Sequence, residues 1–389
     1  MVIAVAFAVV AANTTPPPPA SAAGRRDPVR ITRFLGEQQV PHLTRVEGTT
    51  VGGLSGIDRD PSTGIWYFIS DDRWRYNPAR FYTGHLDIDR VTGAFNGVRL
   101  TGVTTLTRAD GTPYPAYGKP ESADPETIRF DRRSGRLLWG DEGDRPDARN
   151  PAIPISMSAV RAMDLQGRHL GELRLPRNLR LTGADSGPRR NFGFEGLAVT
   201  ARTITAVTEG PRYEDGPPPT ADRGAPARLT VWNRAGRLRG QYVYPLDPLP
   251  VAPVPPGGEA DSGVSEILPI DEYRYLALER AWIEGVDYRV RLYEIDLRGA
   301  TDVLHRSSLE DAVNVLDTRS PEAGRPYRPV VKRLVHDLSA VSTPVQNLES
   351  MAWGPRLASG ECTLVIGSDD NFSQQEVTQF LAFGATGCR

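Results

Sequence analysis

The sequence predicts an all-β protein, a β-propeller of five four-stranded blades. One motif occurs five times: an acidic residue (Ser in the first copy), an apolar strand, a short turn, and a second strand that ends on an acidic residue. The five copies begin at Gly52, Asp124, Asn191, Ser262 and Asn347. The chain also contains 38 Gly and 34 Pro, which is typical of many short strands joined by turns. The best helical pattern is short and covers residues 309–316.

The spacing of the motif indicates a closed ring. Its copies open at Ser55, Glu126, Glu195, Glu266 and Glu349, at intervals of 71, 69, 71 and 83 residues. A fixed period of this kind predicts a repeat architecture. The 40 residues after Glu349, together with about 30 residues before Ser55, make one further interval, as a ring requires.

Each interval reads as four strands, because apolar alternation and β-branched residues are separated by turn pairs. In the second interval we expect strands at 126–131, 136–142, 159–165 and 170–175. In the third they are expected at 195–200, 203–209, 228–233 and 240–244. In the fourth they are expected at 266–270, 274–279, 289–297 and 302–305.

The last interval shows only three strands, the third of them at 378–383. The missing fourth strand is available near the other end of the chain, at residues 31–40 (ITRFLGEQQV). A propeller closes in this way when its N-terminal strand pairs into the last blade. Six blades remain an alternative, since residues 331–338 can begin a further set of strands. Long Pro-rich insertions at 108–124, 213–226, 246–261 and 307–330 are expected to form loops or lids.

Composition excludes some functions and indicates a compartment. A formal net charge of -2 argues against a nucleic-acid binder, which would carry a basic surface. Residues 1–12 are an apolar run too short to span a bilayer, and small residues near Ala23 resemble a cleavage site. We therefore expect a leader at 1–23, a single propeller domain at 24–389, export without a membrane span, and a monomer. Cys362 and Cys388 are the two cysteines and are expected to form a disulfide in an exported protein.

Propeller geometry predicts that the repeated acids meet. The first strand of a blade lines the channel, and the second runs back, so the start of one and the end of the other share a face. The residues expected to ring this mouth as catalytic groups are Glu126, Glu195, Glu266 and Glu349. The second-strand acids expected to join them are Asp71/Asp72, Asp141/Glu142, Glu209, Glu279 and Asp369/Asp370. Of these, the residues expected as metal ligands are Asp72, Glu142, Glu209, Glu279 and Asp370. So many carboxylates repel one another unless cations neutralise them.

Basic residues accompany the acids. Four arginines follow a second-strand acid within one to three residues: Arg73, Arg145, Arg212 and Arg280. One interpretation is structural, with each Glu bonded to backbone N–H groups of the next blade and paired with an Arg. The other is functional, with oxygen ligands converging on Ca²⁺, a hard cation that takes about six to eight of them. The arginines and Lys119 would then bind a phosphoryl group, and the metal would lower the pKa of an attacking water.

Other motifs predict no chemistry. The segment Gly53-Leu54-Ser55-Gly56 lacks the glycine at 57 that a serine-hydrolase elbow needs, and it precedes a strand, so we interpret it as a turn. The segment 58–64 (DRDPSTG) lacks the last ligand of a calcium loop and is expected to be a hairpin turn. The five histidines show no metal-binding spacing.

Several segments carry a resemblance to a known family: GGLSGIDRDPSTGIWYFISDDR, FYTGHLDID, DPETIRF, GFEGLAVT, ALERAW and NLESMAWGP. The chain resembles the exported bacterial phytase-like family, described as "esterase-like activity of phytase". The resemblance implies a phosphoester-cleaving or general esterase site. The chain also looks distantly similar to calcium-dependent β-propeller phytases, which have six blades and use carboxylates with Arg and Lys around phosphate. Its repeat spacing differs from theirs and its only lysines are Lys119 and Lys332, which argues against phytate itself.

Three functions therefore stand as hypotheses. The first is an exported, Ca²⁺-assisted hydrolase of small phosphoesters. The second is a calcium-dependent hydrolase of carboxyl esters or lactones at the same mouth. The third is a non-catalytic binding propeller, in which loops such as 213–226 contact a protein or a glycan and the Glu residues only join the blades.

Overall fold

A computed structural model describes residues 27–183, 185–310, 326–341 and 343–388. Five four-stranded antiparallel sheets form a ring, so the predicted five-bladed β-propeller is confirmed. The leader predicted at 1–23 and most of the helix candidate at 309–316 lie outside the described residues. Within the described ranges, no helix is long and apolar enough to cross a membrane.

The strands of each blade follow one another along the chain from the channel outward. Blade 1 contains β4 (Gly56–Arg59), β5 (Trp66–Ser70), β6 (Arg80–Ile88) and β7 (Phe95–Thr105). Blade 2 contains β8 (Pro125–Asp131), β9 (Arg136–Asp141), β10 (Ala159–Met163) and β11 (His169–Glu172). Blade 3 contains β12 (Phe194–Val199), β13 (Thr203–Thr208), β14 (Ala225–Asn233) and β15 (Leu238–Leu246). Blade 4 contains β16 (Ala260–Pro269), β17 (Arg274–Ile283), β18 (Asp287–Asp296) and β19 (Val331–Asp337).

Blade 5 closes the ring with a strand from the other end of the chain. It contains β20 (Leu348–Arg356), β21 (Cys362–Ser368), β22 (Thr378–Thr386) and, as its outermost strand, β1 (Arg30–Val40). The predicted pairing of the N-terminal strand is thus confirmed, and so is the disulfide between Cys362 and Cys388. The remaining elements are a small hairpin, β2 (Arg45–Val46) and β3 (Thr49–Thr50), and 3-10 turns at Arg177–Leu179, Tyr213–Asp215 and Leu338–Ala340.

The outer strand of blade 4 differs from the prediction. The strand expected at 302–305 is wrong, because blade 3 already binds that segment: Val303 donates its N–H to the carbonyl of Gln241 at 2.7 Å. The carboxylate of Asp302 in turn accepts the N–H of Gln241 at 2.9 Å. The outer strand is instead β19, which pairs with β18. The six-blade alternative is therefore also wrong, because residues 331–337 complete the fourth blade.

The apolar core consists of layers between neighbouring blades. One buried cluster joins each neighbouring pair, and the cluster around Phe68 and Phe380 joins blade 1 to blade 5. Each blade therefore buries both faces of its sheet against the next blade. Burial of apolar surface is the main favourable contribution to such a ring, at roughly 25 cal/mol per Å².

A buried arginine crosses the channel and connects four blades. The guanidinium of Arg129 (blade 2) donates to the carbonyls of Ile57 in blade 1, Leu197 in blade 3 and Ile267 in blade 4. It also lies 2.6 Å from the carboxylate of Glu266. Both side chains of this ion pair are buried, at 2% and 0% exposure. The pair satisfies strand carbonyls that would otherwise face an empty channel.

We expect Arg129→Met to lower the free energy of unfolding by roughly 3–5 kcal/mol, because it leaves Glu266 buried without its cation. The double variant Arg129→Met/Glu266→Leu should recover part of that loss, since no unpaired charge remains. Urea denaturation measures both changes, with Arg132→Met at a neighbouring exposed position as the control. Equal stability of the Arg129→Met variant and the wild type would contradict a structural role for the channel pair.

Candidate functional site

In four of the five blades, the innermost strand contains one residue that its partner strand does not pair. The pairing passes from Pro125 to Thr127, from Phe194 to Gly196, from Val264 to Glu266 and from Leu348 to Ser350. Such β-bulges re-aim a side chain and are common beside active sites. The bulged residues are Glu126, Glu195, Ser265 and Glu349, and Ser55 holds the equivalent place before β4.

A second residue of each blade lies beside the bulged one. In four blades, the first residue after the second strand donates its backbone N–H to a backbone carbonyl just before the first strand, at 2.8–2.9 Å. The pairs of donor and acceptor are Asp71 and Gly53, Glu142 and Asp124, Glu209 and Gly193, and Asp369 and Asn347. In blade 4 the corresponding pair is Arg280 and Gly263. Each acceptor lies two residues before its bulged residue. The five second-strand positions are therefore equivalent, and four of them carry an acid.

Glycine permits the close approach of neighbouring blades at this end of the channel. A Cβ at Gly193 would overlap the carbonyl oxygen of Glu142, and a Cβ at Gly263 would overlap the side chain of Glu209. The carboxylate of Glu142 accepts the N–H of Gly193 at 3.0 Å. The acid of one blade thus packs directly against the first strand of the next blade.

These side chains surround a cavity of about 440 Å³ at one end of the channel, which we call the mouth cavity. Its wall includes the carboxyls of Asp71, Glu126, Glu195, Glu349 and Asp369 and the guanidiniums of Arg73 and Arg280. Two groups of buried acids have oxygens within 4.8 Å of one another. They are Asp124, Glu126 and Glu142, and Glu142, Glu195 and Glu209. Glu142 belongs to both groups.

Two arginines compensate only part of the negative charge. Arg280 holds Glu209 and Glu349 through one nitrogen, Nη2, at 3.0 Å each. The Nε of Arg73 lies 2.6 Å from Oδ1 of Asp124. Ten acids line the cavity or belong to the two groups: Asp71, Asp124, Glu126, Glu142, Glu195, Glu209, Asp261, Glu349, Asp369 and Glu376. Among the described residues the acids thus far outnumber the guanidiniums.

Burial and mutual repulsion raise the pKa values of eight of these acids. Burial raises the pKa of Asp71 to about 8. The nearby charges of Asp124 and Glu349 add to this shift, and the charge of Arg73 opposes it. Burial raises the pKa of Asp124 to about 6. The pKa of Glu126 lies well above its usual range because the carboxyl is buried and because Glu195 is beside it. The same two causes raise the pKa values of Glu142, Glu195, Glu209 and Asp369. Burial also raises the pKa of Glu349, although Arg280 opposes the shift.

The donor set fits a hard divalent cation. Both acidic groups offer only oxygen atoms, the ligands that Ca²⁺ prefers. Glu209 is fully buried, and its Oε2 has no hydrogen-bond partner among the described residues. A buried oxygen without a donor costs free energy that a cation would recover. The mouth is therefore an acidic cluster that a metal ion can occupy.

Comparison with known proteins decides the family. A family model described as "Phytase-like: Esterase-like activity of phytase" matches residues 49–372, most of the chain. The chain belongs to the phytase-like family. No curated protein matches the sequence.

Several solved structures are similar to this chain at low sequence identity. A periplasmic gluconolactonase of Pseudomonas aeruginosa is 14% identical, with 87% of each chain covered and a TM-score of 0.36. An α-L-arabinanase of Penicillium chrysogenum is 10% identical, with 87% of this chain and 80% of the other covered and a TM-score of 0.39. A protein of unknown function from Dyadobacter fermentans is 9% identical, with 92% and 98% covered and a TM-score of 0.36. Similarities at this level carry no argument about activity.

Two predicted residues of the phytase-like site lie away from the mouth. Glu266 follows the bulged Ser265, and its carboxylate binds Arg129, the hydroxyl of Thr127 and the N–H of Leu197. Glu279 precedes Arg280 and forms an ion pair with Lys332. Successive side chains of a strand point to opposite sides, so a shift of one residue removes both acids from the cavity. For Glu266, the structural interpretation of a bond between blades is the one observed.

Asp72 and Asp370 shape loops beside the mouth. Asp72 lies 2.7 Å from Arg80 and accepts the N–H groups of Arg75, Tyr76 and Asn77 at 2.6–3.0 Å. Asp370 accepts the N–H groups of Gly53 and Phe372 at 2.9 and 3.1 Å. Their neighbours Asp71 and Asp369 are the acids that line the cavity.

Of the predicted cationic residues, Arg73 and Arg280 line the mouth and the other three do not. Arg145 donates to the carbonyls of Ser186 and Pro188. Arg212 forms a two-pronged ion pair with Asp215. Lys119 is exposed in a turn and lines neither the mouth cavity nor the cavity beside it.

The alignment of the repeats misplaced two site positions of blade 4, which a different frame would have corrected. Each first strand has apolar residues at the first and fourth places of a four-residue frame, as in Phe194-Glu195-Gly196-Leu197 and Val264-Ser265-Glu266-Ile267. This frame aligns Ser265, and not Glu266, with Glu195. The matching frame in the second strand aligns Arg280 with Glu209. Asp124, which precedes its bulged residue, carries no comparable signal.

We expect the neighbours Asp71 and Asp72 to respond oppositely to the same substitution. The pKa of Asp71 is raised in the folded state, so its stabilising contribution is present below the unfolded pKa and is lost as the pH rises through about 8. At pH 9, with chelator present, Asp71→Asn should therefore raise the free energy of unfolding by roughly 1–2 kcal/mol. Asp72→Asn should lower it by roughly 3–5 kcal/mol, because Arg80 loses its buried partner. Urea titrations measure both, and a loss of stability in both variants would contradict the division of roles.

Proposed function

We propose that this phytase-like protein is an exported, Ca²⁺-assisted phosphoester hydrolase whose site is the mouth cavity. The observation that carries the proposal is the excess of buried carboxyls facing two arginines in one cavity. Carboxylates without a cation repel one another. A bound cation would interact with the carboxylates, and an anionic substrate would interact with that cation and with the arginines.

The acids of blades 2 and 3 would hold the cation. Asp124, Glu142 and Glu209 would supply the ligand oxygens, and each of the two groups described above contains two of them. A bound Ca²⁺ would neutralise charge on the phosphoryl oxygens and lower the pKa of a nearby water. Because Glu142 belongs to both groups, the two groups would form either one metal site or two adjacent metal sites.

The arginines would bind the phosphoryl group. Arg73 and Arg280 line the cavity, and a guanidinium presents the planar fork that suits phosphate oxygens. Arg280 is fixed by Glu209 and Glu349 and would need little reorganisation on binding. In this proposal Glu349 is a positioning residue that acts through Arg280.

The reaction is a displacement by water. A water oxygen forms a bond to phosphorus and gives one proton to Glu195, whose carboxyl a cation bound beside it would keep ionised. The bond between phosphorus and the ester oxygen breaks, and that oxygen keeps the electron pair. Glu126, whose pKa is raised by burial and by Glu195, is protonated and gives its proton to the leaving oxygen. The products are an alcohol and phosphate.

Export is supported by the disulfide between Cys362 and Cys388, a bond that persists in oxidising compartments. Hydrolysis of carboxyl esters is the second candidate, because the description of the family names an esterase-like activity. The same cavity would then stabilise the charge that develops on a carbonyl oxygen.

We expect Glu195→Gln to lower metal-dependent turnover by about a hundredfold or more while leaving the fold intact, because the amide cannot accept the proton of the water. The measurement compares hydrolysis of phosphate and acetate esters after chelator treatment and after calcium is restored, with melting curves for folding. Glu47→Gln, an exposed position, is the matched control. Unchanged turnover in Glu195→Gln would exclude this site assignment. A wild type that hydrolyses neither ester class would favour the binding-propeller hypothesis.

A further inference from the structure

A second cavity, of about 540 Å³, opens beside the mouth cavity. We call it the side groove. Residues that belong to its wall alone include Trp74, Arg75, Tyr117, Arg190 and Phe372. The walls of the two cavities share four residues: Asp71, Arg73, Asn191 and Asn371. A molecule that fills both would therefore pass directly over Arg73.

The wall of the side groove is built by fixed loops. Asp72 caps the loop that presents Arg73, Trp74 and Arg75, and its partner Arg80 is itself 1% exposed. On the facing side, Asp370 holds the N–H of Phe372, whose ring stacks on Tyr76 with 4.7 Å between centroids. Charge-assisted bonds of this kind fix a loop before a ligand arrives.

Backbone strain concentrates at the groove. Eight non-glycine residues of the described chain have a positive φ, and four of them line the groove. They are Trp74 at 61°, Asn191 at 59°, Asn371 at 47° and Phe372 at 53°. Residues in this region cost about 1–3 kcal/mol each and cluster at ligand sites. A tryptophan and a phenylalanine in this conformation are unusual, because bulky side chains rarely adopt it.

The exposed side chains of the groove combine flat rings with positive charge. Trp74 and Tyr117 are 38% and 41% exposed, large fractions for aromatic residues. The guanidinium of Arg73 lies over the ring of Tyr117, 5.8 Å from its centre, and Arg190 donates to the Tyr117 hydroxyl at 3.1 Å. Aromatic faces bind planar rings by offset stacking.

The charge available in the groove is small. Arg73 is paired with Asp124, and Arg190 is paired with Asp144 and Asp147. Arg75 is exposed and forms no ion pair with the described residues. One unpaired guanidinium suits a ligand with few negative charges more than a polyphosphorylated one.

We propose that the side groove binds the aromatic leaving group of an aryl phosphomonoester. The ring stacks on Trp74 and Tyr117, and the phosphoryl group extends past Arg73 into the mouth cavity. This inference rests on the proposed function, in which the mouth cleaves the phosphoester bond. It adds the class of substrate: an ester whose alcohol part is a planar ring.

The test uses the non-hydrolysable probes phenylphosphonate and cyclohexylphosphonate at a pH at which both are dianions; the two are similar in apolar size and differ in the flat ring. Calorimetry in the presence of calcium should show that the wild type binds the phenyl probe about tenfold more tightly. Trp74→Ala should reduce this preference about tenfold, and Tyr117→Leu should reduce it as a second variant. Tyr273→Ala, an aromatic residue that lines neither cavity and is 50% exposed, should leave it unchanged.

The outcomes separate this inference from the proposed function. Equal binding of the two probes, or a preference that survives in both groove variants, would overturn the aromatic site whether or not the protein hydrolyses phosphoesters. A preference lost in the groove variants supports the aromatic site. If aryl phosphates are nevertheless not hydrolysed, then the groove binds such ligands and the hydrolase proposal fails.

Discussion

The β-bulge in the innermost strands of blades 2 to 5 is the constraint on which the site depends. It inserts one residue that the partner strand does not pair and directs its side chain to the end of the channel. In a ring, the same device brings several such side chains to one place. Glu126, Glu195 and Glu349 meet for this reason, although 69 or more residues separate them along the chain.

Blade 4 departs from the repeat and makes the distribution of charge around the mouth asymmetric. Its bulged residue is Ser265, where blades 2, 3 and 5 carry Glu, and its second-strand residue is Arg280, where the other four blades carry acids. The mouth therefore has an acidic side, formed by blades 2 and 3, and a guanidinium that faces it. Five identical blades would present a uniform ring of charge, whereas this arrangement places a guanidinium beside the acids. In the proposed function, Arg280 binds the anionic substrate beside the cation that the acids hold.

The ring is stable despite this concentration of buried carboxyls. Apolar layers join every neighbouring pair of blades, and the pair Arg129–Glu266 satisfies strand carbonyls below the mouth. These features lie away from the acids and supply the stability that the mouth lacks. Functional sites commonly violate local rules in this way, with compensation elsewhere in the fold.

Much of the fold could be predicted, because the repeat spacing determines the number of blades and leaves one strand for the N-terminus to supply. The outer strand of blade 4 could not, because a long insertion separates β19 from β18 and residues 302–305 carry a similar local pattern. The site could be predicted only to within one residue. Matching Glu to Glu selects Glu266, whereas the bulge makes Ser265 the equivalent position. In the pairs Asp71-Asp72 and Asp369-Asp370, the conformation of the backbone after the second strand decides which of the two acids faces the cavity. The residue types alone do not show which one it is.

Calcium binding to chelator-stripped protein tests the central claim, that the acids at the mouth form a cation site. Calorimetry on the wild type should show micromolar binding, with a higher melting temperature in calcium, because a ligand at 100 times its Kd stabilises the folded state by about 2.7 kcal/mol. The same titration on Glu195→Gln should show weaker binding. An absence of binding by the wild type, or an affinity unchanged in that variant, would contradict the account and leave the acids as contacts between blades.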